Sequence, residues 1–389
     1  MKNNNYNFKT NVIHAGYQAD TITGSVMPPI YLSTTYKQSA PGKPIGEFEY
    51  SRSSNPNRQF VEQSLATLEG GHFGLCFASG CAALAIVLQT LPTGAHVVVS
   101  DDVYGGTLRL FAQVYKQKGI DFTQVDCTDL AQFKQALTPK TELIWIETPS
   151  NPMLKIIDIE QIANIKNTTT PEANLFVDNT FASPYLQNPL ALGADGVCHS
   201  TTKYLGGHSD VVGGALIVNK PELNEKLAYM QNALGAVPSA MDCYLLMRSI
   251  KTLAIRMDAH CQNAQKVVTF LNSHPKVDNV LYPGLPEHPQ YHVAEKQMKN
   301  FGGMISTTFK LDLNQVKSFL GHLQLFTLAE SLGGVESLIE HPAIMTHATI
   351  PPAQRKALGI SDGLVRLSVG IEDADDLIWD LKEALEHVK

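Results

Sequence analysis

The sequence predicts an α/β fold in which a large, doubly wound, mostly parallel sheet is followed by a smaller C-terminal α/β domain. First, short apolar and β-branched runs between residues 59 and 250 lack strict alternation of apolar and polar positions, which is typical of strands covered on both faces. Second, helix-like segments alternate with these runs, as in doubly wound folds. Third, the pattern changes past about residue 251, where longer helical stretches bracket two strand-like segments.

Residues 1–58 are polar and rich in turn-forming residues. Turn dipeptides recur there, at Pro28-Pro29, Pro41-Gly42 and Asn55-Pro56, and such pairs favour turns and loops over regular elements. We therefore predict an extended N-terminal arm, not a packed unit. An arm that is not self-contained often crosses to a neighbouring subunit, so we expect a homo-oligomer.

Residues 59–250 supply the strands and helices of the predicted large domain. Helices are predicted over 59–68, 80–88 and 108–117, and a fourth runs to residue 136. Asp129 and Gln132 match a capping box that would begin this fourth helix. Strands are predicted over 97–100, 143–147, 175–178, 196–199 and 215–218.

Residues 251–389 form the predicted smaller domain. Its two strand-like segments lie near 304–309 and 364–368. The last segment, 373–389, carries Leu377, Ile378, Leu381 and Leu385. This spacing places the four side chains on one face of a helix, as expected for a helix that covers a sheet.

Composition and charge exclude several classes of protein. The chain has 389 residues, a formal net charge of −7, 44% hydrophobic residues and 17% charged residues, which are ordinary values for a globular enzyme. No basic run is long enough to follow a nucleic-acid backbone. The first ten residues lack an apolar signal core, and no apolar run could span a bilayer. We therefore expect a cytoplasmic protein without nucleic-acid or membrane partners.

The six cysteines are scattered and include no Cys-x-x-Cys pair. In a chain of this length, such a distribution indicates neither a disulfide framework nor a zinc site. We expect a reducing compartment and no bound metal.

Lys203 is the strongest candidate for a reactive side chain. It follows the predicted strand 196–199 within Ser200-Thr201-Thr202-Lys203, and ligands of open parallel sheets bind beyond the carboxyl ends of the strands. A desolvated lysine there can form an imine with a carbonyl cofactor, and the hydroxyls of Ser200 and Thr202 could donate to a phosphate. Considered alone, a surface lysine in a polar turn is the commoner explanation.

Two further segments end strands or begin helices in the same region. Asp178 closes the strand 175–178, where a carboxylate can keep a pyridine nitrogen protonated; a strand-end Asp more often caps a turn. Gly80 and Cys81 begin a helix, whose free backbone N–H groups suit a phosphate. Small residues at a helix start are common, so this second signal is weak alone.

An aromatic residue and a cation complete the candidates. Tyr104 follows the strand 97–100, where it could stack on a planar ring and reach a leaving group; it could equally pack on a loop. Arg366 lies between apolar strand residues and needs an anionic partner. Either a substrate carboxylate, bound bidentately, or a structural Asp or Glu would serve.

From about Thr10 to the C-terminus, the sequence resembles the Cys/Met-metabolism family of pyridoxal-phosphate (PLP) enzymes, which has the aspartate-aminotransferase-like fold (fold type I). The resemblance implies PLP as cofactor, an amino acid as substrate, and a dimer of dimers whose active sites are shared between subunits. The resembling stretches are 49–52, 101–107, 145–149, 177–181, 207–212, 328–334, 342–347 and 366–370.

The resemblance also implies roles for individual residues. Lys203 matches the lysine that holds PLP as an imine, Asp178 the partner of the ring nitrogen, and Tyr104 the residue stacked on the ring and the likeliest proton donor to the leaving group. The phosphate-binding positions match Gly80, Cys81, Ser200 and Thr202, together with Tyr50 and Arg52 from the neighbouring subunit. Substrate-binding positions match Arg366, Asn151 and Ser331 at the carboxylate and Glu49, Arg109 and Glu330 at the distal end.

Within the family, the sequence is most similar to cystathionine gamma-lyases, which implies γ-elimination of L-cystathionine to cysteine, 2-oxobutanoate and ammonia. Cystathionine gamma-synthase, which replaces the γ-substituent of an activated homoserine ester with cysteine, shares nearly all these motifs and stays an alternative. Gly106 stands where methionine gamma-lyases usually carry Cys, which weakens that assignment. A third alternative, from another class, is a non-catalytic scaffold.

Overall fold

A computed structural model describes residues 6–348 and 351–388. The N-terminal segment contains the helix α1 (Phe8–His14) and the short hairpin of β1 (Gln38–Ala40) and β2 (Lys43–Pro44). Helix α1 packs on the body of its own chain, because Val12 is buried and the ring of Phe8 lies 5.2 Å from that of Tyr185. The start of the predicted arm is therefore packed, whereas much of 20–52 is exposed.

The middle of the chain alternates strands and helices as predicted. The strands are β3 (Phe73–Phe77), β4 (His96–Ser100), β5 (Asp121–Val125), β6 (Thr141–Glu147), β7 (Asn174–Asp178), β8 (Gly196–Ser200) and β9 (Gly214–Val218). The helices are α2 (Pro56–Glu69), α3 (Gly80–Gln89), α4 (Gly105–Arg109), α5 (Leu130–Ala136), α6 (Ile159–Thr169), α7 (Ser183–Leu186), α8 (Pro221–Leu234) and α9 (Ala240–Ile250). The sequence missed β3 and β5, which lie at the two edges of the sheet.

In the described part of the chain, these strands form one seven-stranded sheet in the order β3-β9-β8-β7-β6-β4-β5. Pairing is parallel from β5 to β8, whereas β9 is antiparallel to both β8 and β3. The sheet is therefore mostly parallel, as predicted. Apolar clusters cover both faces, which explains the continuous apolar runs in β4 and β6.

Two predicted helices differ in detail from the structure. The segment predicted over 108–117 continues α4 as a π-helical turn (Leu110–Tyr115) and a 3-10 turn (Lys116–Lys118), and ends at Gly119 with φ 80°. At α5, the Asp129 side chain accepts from the backbone N–H groups of Ala131 and Gln132. The Gln132 amide N–H donates to the Asp129 carboxylate at 2.8 Å, and the Gln132 side chain does not accept from the Asp129 backbone N–H, so the capping box is incomplete.

The C-terminal part contains a second sheet. Its strands are β10 (Val277–Leu281), β11 (Met304–Phe309), β12 (Thr327–Leu328), β13 (Leu338–Glu340) and β14 (Leu364–Ser368). They follow α10 (Leu253–Ser273) and are accompanied by α11 (Tyr291–Gln297), α12 (Leu313–His322), α13 (Pro352–Ala357) and α14 (Ala374–Glu386). Leu377, Leu381 and Leu385 of α14 are buried in the core of this sheet, whereas Ile378 is half-buried. The boundaries predicted at 58 and 250 stay predictions.

Two features of the described residues concern membranes and metal ions. No helix among them is both long and apolar enough to cross a membrane. They also contain no group of three or more His, Cys, Asp or Glu side chains that could hold a metal ion.

Candidate active site

A cavity of about 280 Å³ opens where the parallel strands of the large sheet end. The lysine loop after β8 and segments of the C-terminal sheet complete its wall. Its volume lies close to the lower end of the range for small-molecule sites. It brings together most of the predicted site residues, namely Gly80, Cys81, Tyr104, Asn151, Asp178, Ser200, Thr202, Lys203, Glu330, Ser331 and Arg366.

Lys203 reaches the cavity from the loop that follows β8. Its Nζ donates a hydrogen bond of 2.6 Å to the Ser331 hydroxyl, which belongs to the C-terminal part of the chain. Burial, with the nearby Arg366 guanidinium, lowers the pKa of Lys203 to about 8. An appreciable fraction of the amine is therefore neutral near physiological pH, which is the state required of a nucleophile or base.

Asp178 ends β7 beside the cavity. Its Oδ1 accepts hydrogen bonds from the Thr180 backbone N–H at 3.1 Å and from the Thr180 hydroxyl at 2.5 Å. The Thr180 oxygen in turn accepts from the Ser200 backbone N–H at 2.9 Å, which ties β7 to β8. Burial raises the pKa of Asp178, so its anionic form needs a cation to stabilise it.

The first turn of α3 and the loop after β8 form a cradle at one end of the cavity. The Ser79 hydroxyl caps α3 by accepting from the Ala82 N–H at 3.0 Å. A Cβ on Gly80 would lie 3.0 Å from the Ser200 Cβ, so these segments approach too closely for a side chain there. The backbone N–H groups of Gly80 and Cys81 and the Ser200 hydroxyl suit a bound phosphate.

Thr202 also lines the cradle, but its hydroxyl is engaged with the backbone. It accepts from the Gly213 N–H at 3.1 Å and lies 3.2 Å from the Gly213 carbonyl oxygen, to which it donates. Its contribution to phosphate binding stays a prediction.

Tyr104 also lines the cavity, and this residue remains 47% exposed. Its backbone N–H donates to Glu147 Oε2 at 2.9 Å. Glu147 ends β6 and is paired in register with Asp178. Burial and the Asp178 carboxylate hold the pKa of Glu147 well above its usual range. Burial also raises the pKa of the Tyr104 phenol, so the phenol keeps its proton at neutral pH.

Arg366 lies in the middle of β14 and is buried, with 2% of its surface exposed. Its Nη1 donates to Asn151 Oδ1 at 2.7 Å, and its Nη2 donates to the Ser331 carbonyl at 2.7 Å. Nη1 also lies 3.0 Å from Glu340 Oε1. A structural acid therefore partners this arginine, and the guanidinium also borders the cavity.

Ser331 links the side chains of Lys203 and Arg366. Its φ of 83° places a non-glycine residue in the left-handed region, a conformation that persists only where the surrounding structure imposes it. In this conformation its hydroxyl accepts from Lys203 while its carbonyl accepts from Arg366.

Four predicted site residues do not line the cavity of this chain: Glu49, Tyr50, Arg52 and Arg109. Arg109 is exposed on α4. The Arg52 guanidinium donates to the Asn232 carbonyl oxygen and lies 5.8 Å from the centre of the Tyr50 ring. The roles predicted for Tyr50 and Arg52 at a neighbouring subunit's site stay predictions.

Sequence reasoning did not select six polar residues at or beside the cavity, namely Ser79, Thr107, Glu147, Thr180, Glu340 and Thr346. Glu147 had a usable signal, since it ends an apolar strand as Asp178 does. Ser79 precedes a helix of small residues, which is the usual place of an N-cap. Glu340 is paired with Arg366 of a neighbouring strand, and this pairing is seen only in the folded structure.

A doubly wound sheet with a lysine of lowered pKa and a strand-end carboxylate at one cavity defines an enzyme of PLP fold type I. The chain belongs to the family described as Cys/Met metabolism PLP-dependent enzyme, whose model matches residues 9–386. The predicted family, fold and cofactor are therefore confirmed.

Similar proteins carry three different activities in their names. A cystathionine beta-lyase of Coxiella burnetii is 55% identical over 97% of both chains. A cystathionine gamma-lyase of Dictyostelium discoideum is 52% identical over 98% of both, and a cystathionine gamma-synthase of Mycobacterium tuberculosis is 52% identical over 97% of this chain and 96% of its own. The crystal structure of cystathionine gamma-lyase from Lactobacillus plantarum complexed with L-serine superposes with a TM-score of 0.95, at 47% identity, over 98% of this chain and 99% of its own.

The residues around the cavity fit PLP. The lysine amine suits its carbonyl group, the Asp178 carboxylate suits a protonated ring nitrogen, and the cradle at α3 suits its phosphate. Gly80 adds no side chain to the cradle, where a Cβ would lie 3.0 Å from the Ser200 Cβ.

The pKa of Lys203 predicts how the cofactor-free protein captures PLP. The rate of attachment should rise with pH around a midpoint of about 8, instead of near 10.5, because the neutral amine reacts with the carbonyl group. At pH 7 roughly one molecule in ten would then carry a neutral amine. The measurement is the rate of absorbance change after mixing apoprotein with PLP across a pH series, with butylamine in solution as the control. A midpoint above pH 10 would refute the lowered pKa.

Proposed function

We propose that this enzyme is a cystathionine gamma-lyase, which converts L-cystathionine to cysteine, 2-oxobutanoate and ammonia. The observation that carries carbon–sulfur bond cleavage is the presence of an amine, a protonated phenol and a guanidinium at one cavity, supplied by Lys203, Tyr104 and Arg366. The similarity to the D. discoideum gamma-lyase supports γ-elimination.

Each of these side chains has a task that its surroundings suit. PLP, when bound, supplies an electron sink for the negative charge that develops on the substrate carbons. The neutral amine of Lys203 removes the proton from the α-carbon and then moves a proton at the β-carbon. The Tyr104 hydroxyl donates a proton to the departing sulfur. The raised pKa of Tyr104 keeps that proton available.

Two anchors hold the reacting groups in place. The Asp178 carboxylate holds the proton on the ring nitrogen of PLP. Burial raises the pKa of Asp178, and the positive charge of the ring nitrogen opposes that rise. The Arg366 guanidinium binds the α-carboxylate of the substrate, together with Asn151 and Ser331. Glu330 lies at the cavity wall, and we assign it to the distal part of the substrate. The same role is proposed for Glu49 and Arg109, which do not line the cavity of this chain.

Cystathionine beta-lyase is a second candidate, favoured by the 55% identity to the C. burnetii enzyme. Cystathionine gamma-synthase is a third, supported by the M. tuberculosis enzyme. The three reactions use the same amine and carboxylate anchors. They differ in which carbon–sulfur bond breaks, or in whether a thiol replaces the γ-substituent.

The products distinguish the three activities. Incubation with L-cystathionine should release cysteine and 2-oxobutanoate in equal amounts, and little homocysteine or pyruvate. A parallel reaction with O-succinyl- or O-acetylhomoserine plus cysteine should form cystathionine more slowly than cystathionine is cleaved. Predominant pyruvate and homocysteine would assign β-elimination instead, and faster cystathionine formation would assign the synthase.

The assembly that we infer is a dimer of dimers, in which the N-terminal arm completes the site of a neighbouring subunit with Tyr50 and Arg52. Exposed apolar side chains on the arm support this inference, among them Ile22, Val26 and Leu32, which are 89%, 79% and 74% exposed. Side chains of this kind are usually covered by protein in an assembly. A cytoplasmic location stays a prediction.

A further inference from the structure

Behind Arg366 lies a carboxylate that does not itself border the cavity. Glu340 ends β13 and is paired in register with Arg366 of β14. Its side chain is fully buried, and its Oε1 lies 3.0 Å from Arg366 Nη1. Among the ion pairs found in the described residues, this is the one that Arg366 makes.

The same oxygen of Glu340 connects to the cavity wall by a second route. The Thr346 hydroxyl donates to Glu340 Oε1 at 3.0 Å and lies 2.9 Å from His347 Nδ1. Thr346 borders the cavity. One oxygen atom of Glu340 therefore contacts both the Arg366 guanidinium and the Thr346 hydroxyl.

The contacts of Arg366 show what Glu340 contributes. Its Nη1 donates to Asn151 Oδ1 and lies 3.0 Å from Glu340 Oε1, with which it forms an ion pair. The hydrogen-bond acceptors of the guanidinium are the neutral amide oxygen of Asn151 and the neutral carbonyl of Ser331. Glu340 therefore supplies the negative charge that these acceptors lack. Without Glu340, a buried guanidinium would lose its counter-charge.

We propose that Glu340 is a positioning residue, whose carboxylate oxygen fixes the Arg366 guanidinium in the orientation that receives the substrate's α-carboxylate. This rests on the proposed function, in which Arg366 binds that carboxylate. Glu340 acts through Nη1, which leaves other N–H groups of the guanidinium for the substrate. Burial raises the pKa of Glu340 and the Arg366 charge opposes that rise, so each group stabilises the charge of the other.

The experiment compares two probes that differ in one group. L-2-aminobutanoate and propan-1-amine share the amino group and the carbon chain, but the amine lacks the carboxylate. Their dissociation constants for the PLP-loaded enzyme are measured from the change in cofactor absorbance, without turnover of cystathionine. The wild-type protein should prefer the amino acid, and the ratio of the two constants reports carboxylate recognition alone.

Glu340→Ala should reduce this preference by about 10- to 100-fold, the range expected for removing a charged partner at contact distance. Binding of propan-1-amine should change little. Glu340→Gln should keep most of the preference, because its amide oxygen can still accept from the Thr346 hydroxyl and occupy the position beside Arg366 Nη1. The glutamine variant also tests the proposal if the alanine variant fails to fold.

Asp380 offers a matched control in the same part of the chain. It is buried and accepts from the backbone N–H groups of Gln324, Leu325 and Phe326, away from the cavity. Asp380→Ala should lower stability while the ratio of the two constants stays at the wild-type value. An equal weakening of both probes in Glu340→Ala would mean a general structural role and would overturn the proposal.

Further outcomes separate this proposal from the function on which it rests. If Arg366→Leu abolishes the preference but Glu340→Ala keeps it, the positioning role is wrong and the role of Arg366 stands. If Arg366→Leu keeps the preference, the carboxylate role of Arg366 is wrong and the role of Glu340 falls with it. If Glu340→Gln loses as much preference as Glu340→Ala, positioning through the acceptor oxygen is wrong.

Discussion

Replacing Lys203 with alanine should lower the turnover of L-cystathionine by about 10³-fold or more, since removing a positioned acid–base group alone costs up to about 10⁴-fold. The variant should also lose the absorbance of lysine-attached PLP. The physical reason is that Lys203 provides the amine of lowered pKa at the cavity. The measurements are steady-state release of 2-oxobutanoate and the absorption spectrum of the purified protein.

Two controls separate chemistry from folding. Lys203→Arg keeps a cation of similar length but offers no amine, and it should be as inactive as the alanine variant. Lys220→Ala removes an exposed ammonium that pairs with Asp195 at 2.7 Å outside the cavity, and it should keep wild-type turnover. Full activity in Lys203→Ala would show that another group carries the chemistry, and absence of any cofactor absorbance in the wild-type protein would favour a non-catalytic scaffold.

Replacing Asp178 with asparagine should lower turnover by about 10²-fold or more, because the substitution keeps the shape of the side chain and removes its charge. A neutral amide cannot hold the proton of a pyridine nitrogen as a carboxylate can, and a charge-assisted hydrogen bond is worth up to about 3 kcal/mol. The ring of PLP would then be a poorer electron sink. The measurement is turnover at saturating PLP and substrate, so that weaker cofactor binding does not obscure the result.

Asp195→Asn is the matched control for this substitution. Asp195 is a buried acid of the same domain, and it pairs with Lys166 at 2.9 Å and Lys220 at 2.7 Å. Its neutralisation should reduce stability but leave the turnover of each folded molecule near the wild-type value. Equal turnover losses in the two variants would indicate that the effect of Asp178→Asn is structural.

Lys203 and Asp178 could be selected from sequence because each follows an apolar strand of the parallel sheet. The local composition of such strands predicts them, and their carboxyl ends meet at one edge of the sheet. The strands β3 and β5 were missed for a related reason. They lie at the sheet edges, and the polar or half-buried positions of β5 blur the continuous apolar pattern.

Arg366 shows where local reasoning stops. Its position between apolar strand residues indicated that it needs an anionic partner. That partner could have been either a structural acid or a substrate carboxylate. The structure supplies Glu340 as the acid and also places the guanidinium at the cavity. The two answers are compatible, because one planar cation has several N–H groups that can serve different partners.

Local periodicity in the sequence indicated the doubly wound fold, and the motifs that resemble the Cys/Met-metabolism family indicated the cofactor and the candidate site residues. The folded structure was needed to show that Ser331 joins Lys203 to Arg366, that Glu147 accepts from the backbone N–H of Tyr104, and that Glu340 lies beside Arg366. These contacts join residues 26 or more positions apart, on different strands or loops. No local pattern specifies such a pairing, since it depends on which strands and loops become neighbours in the folded chain.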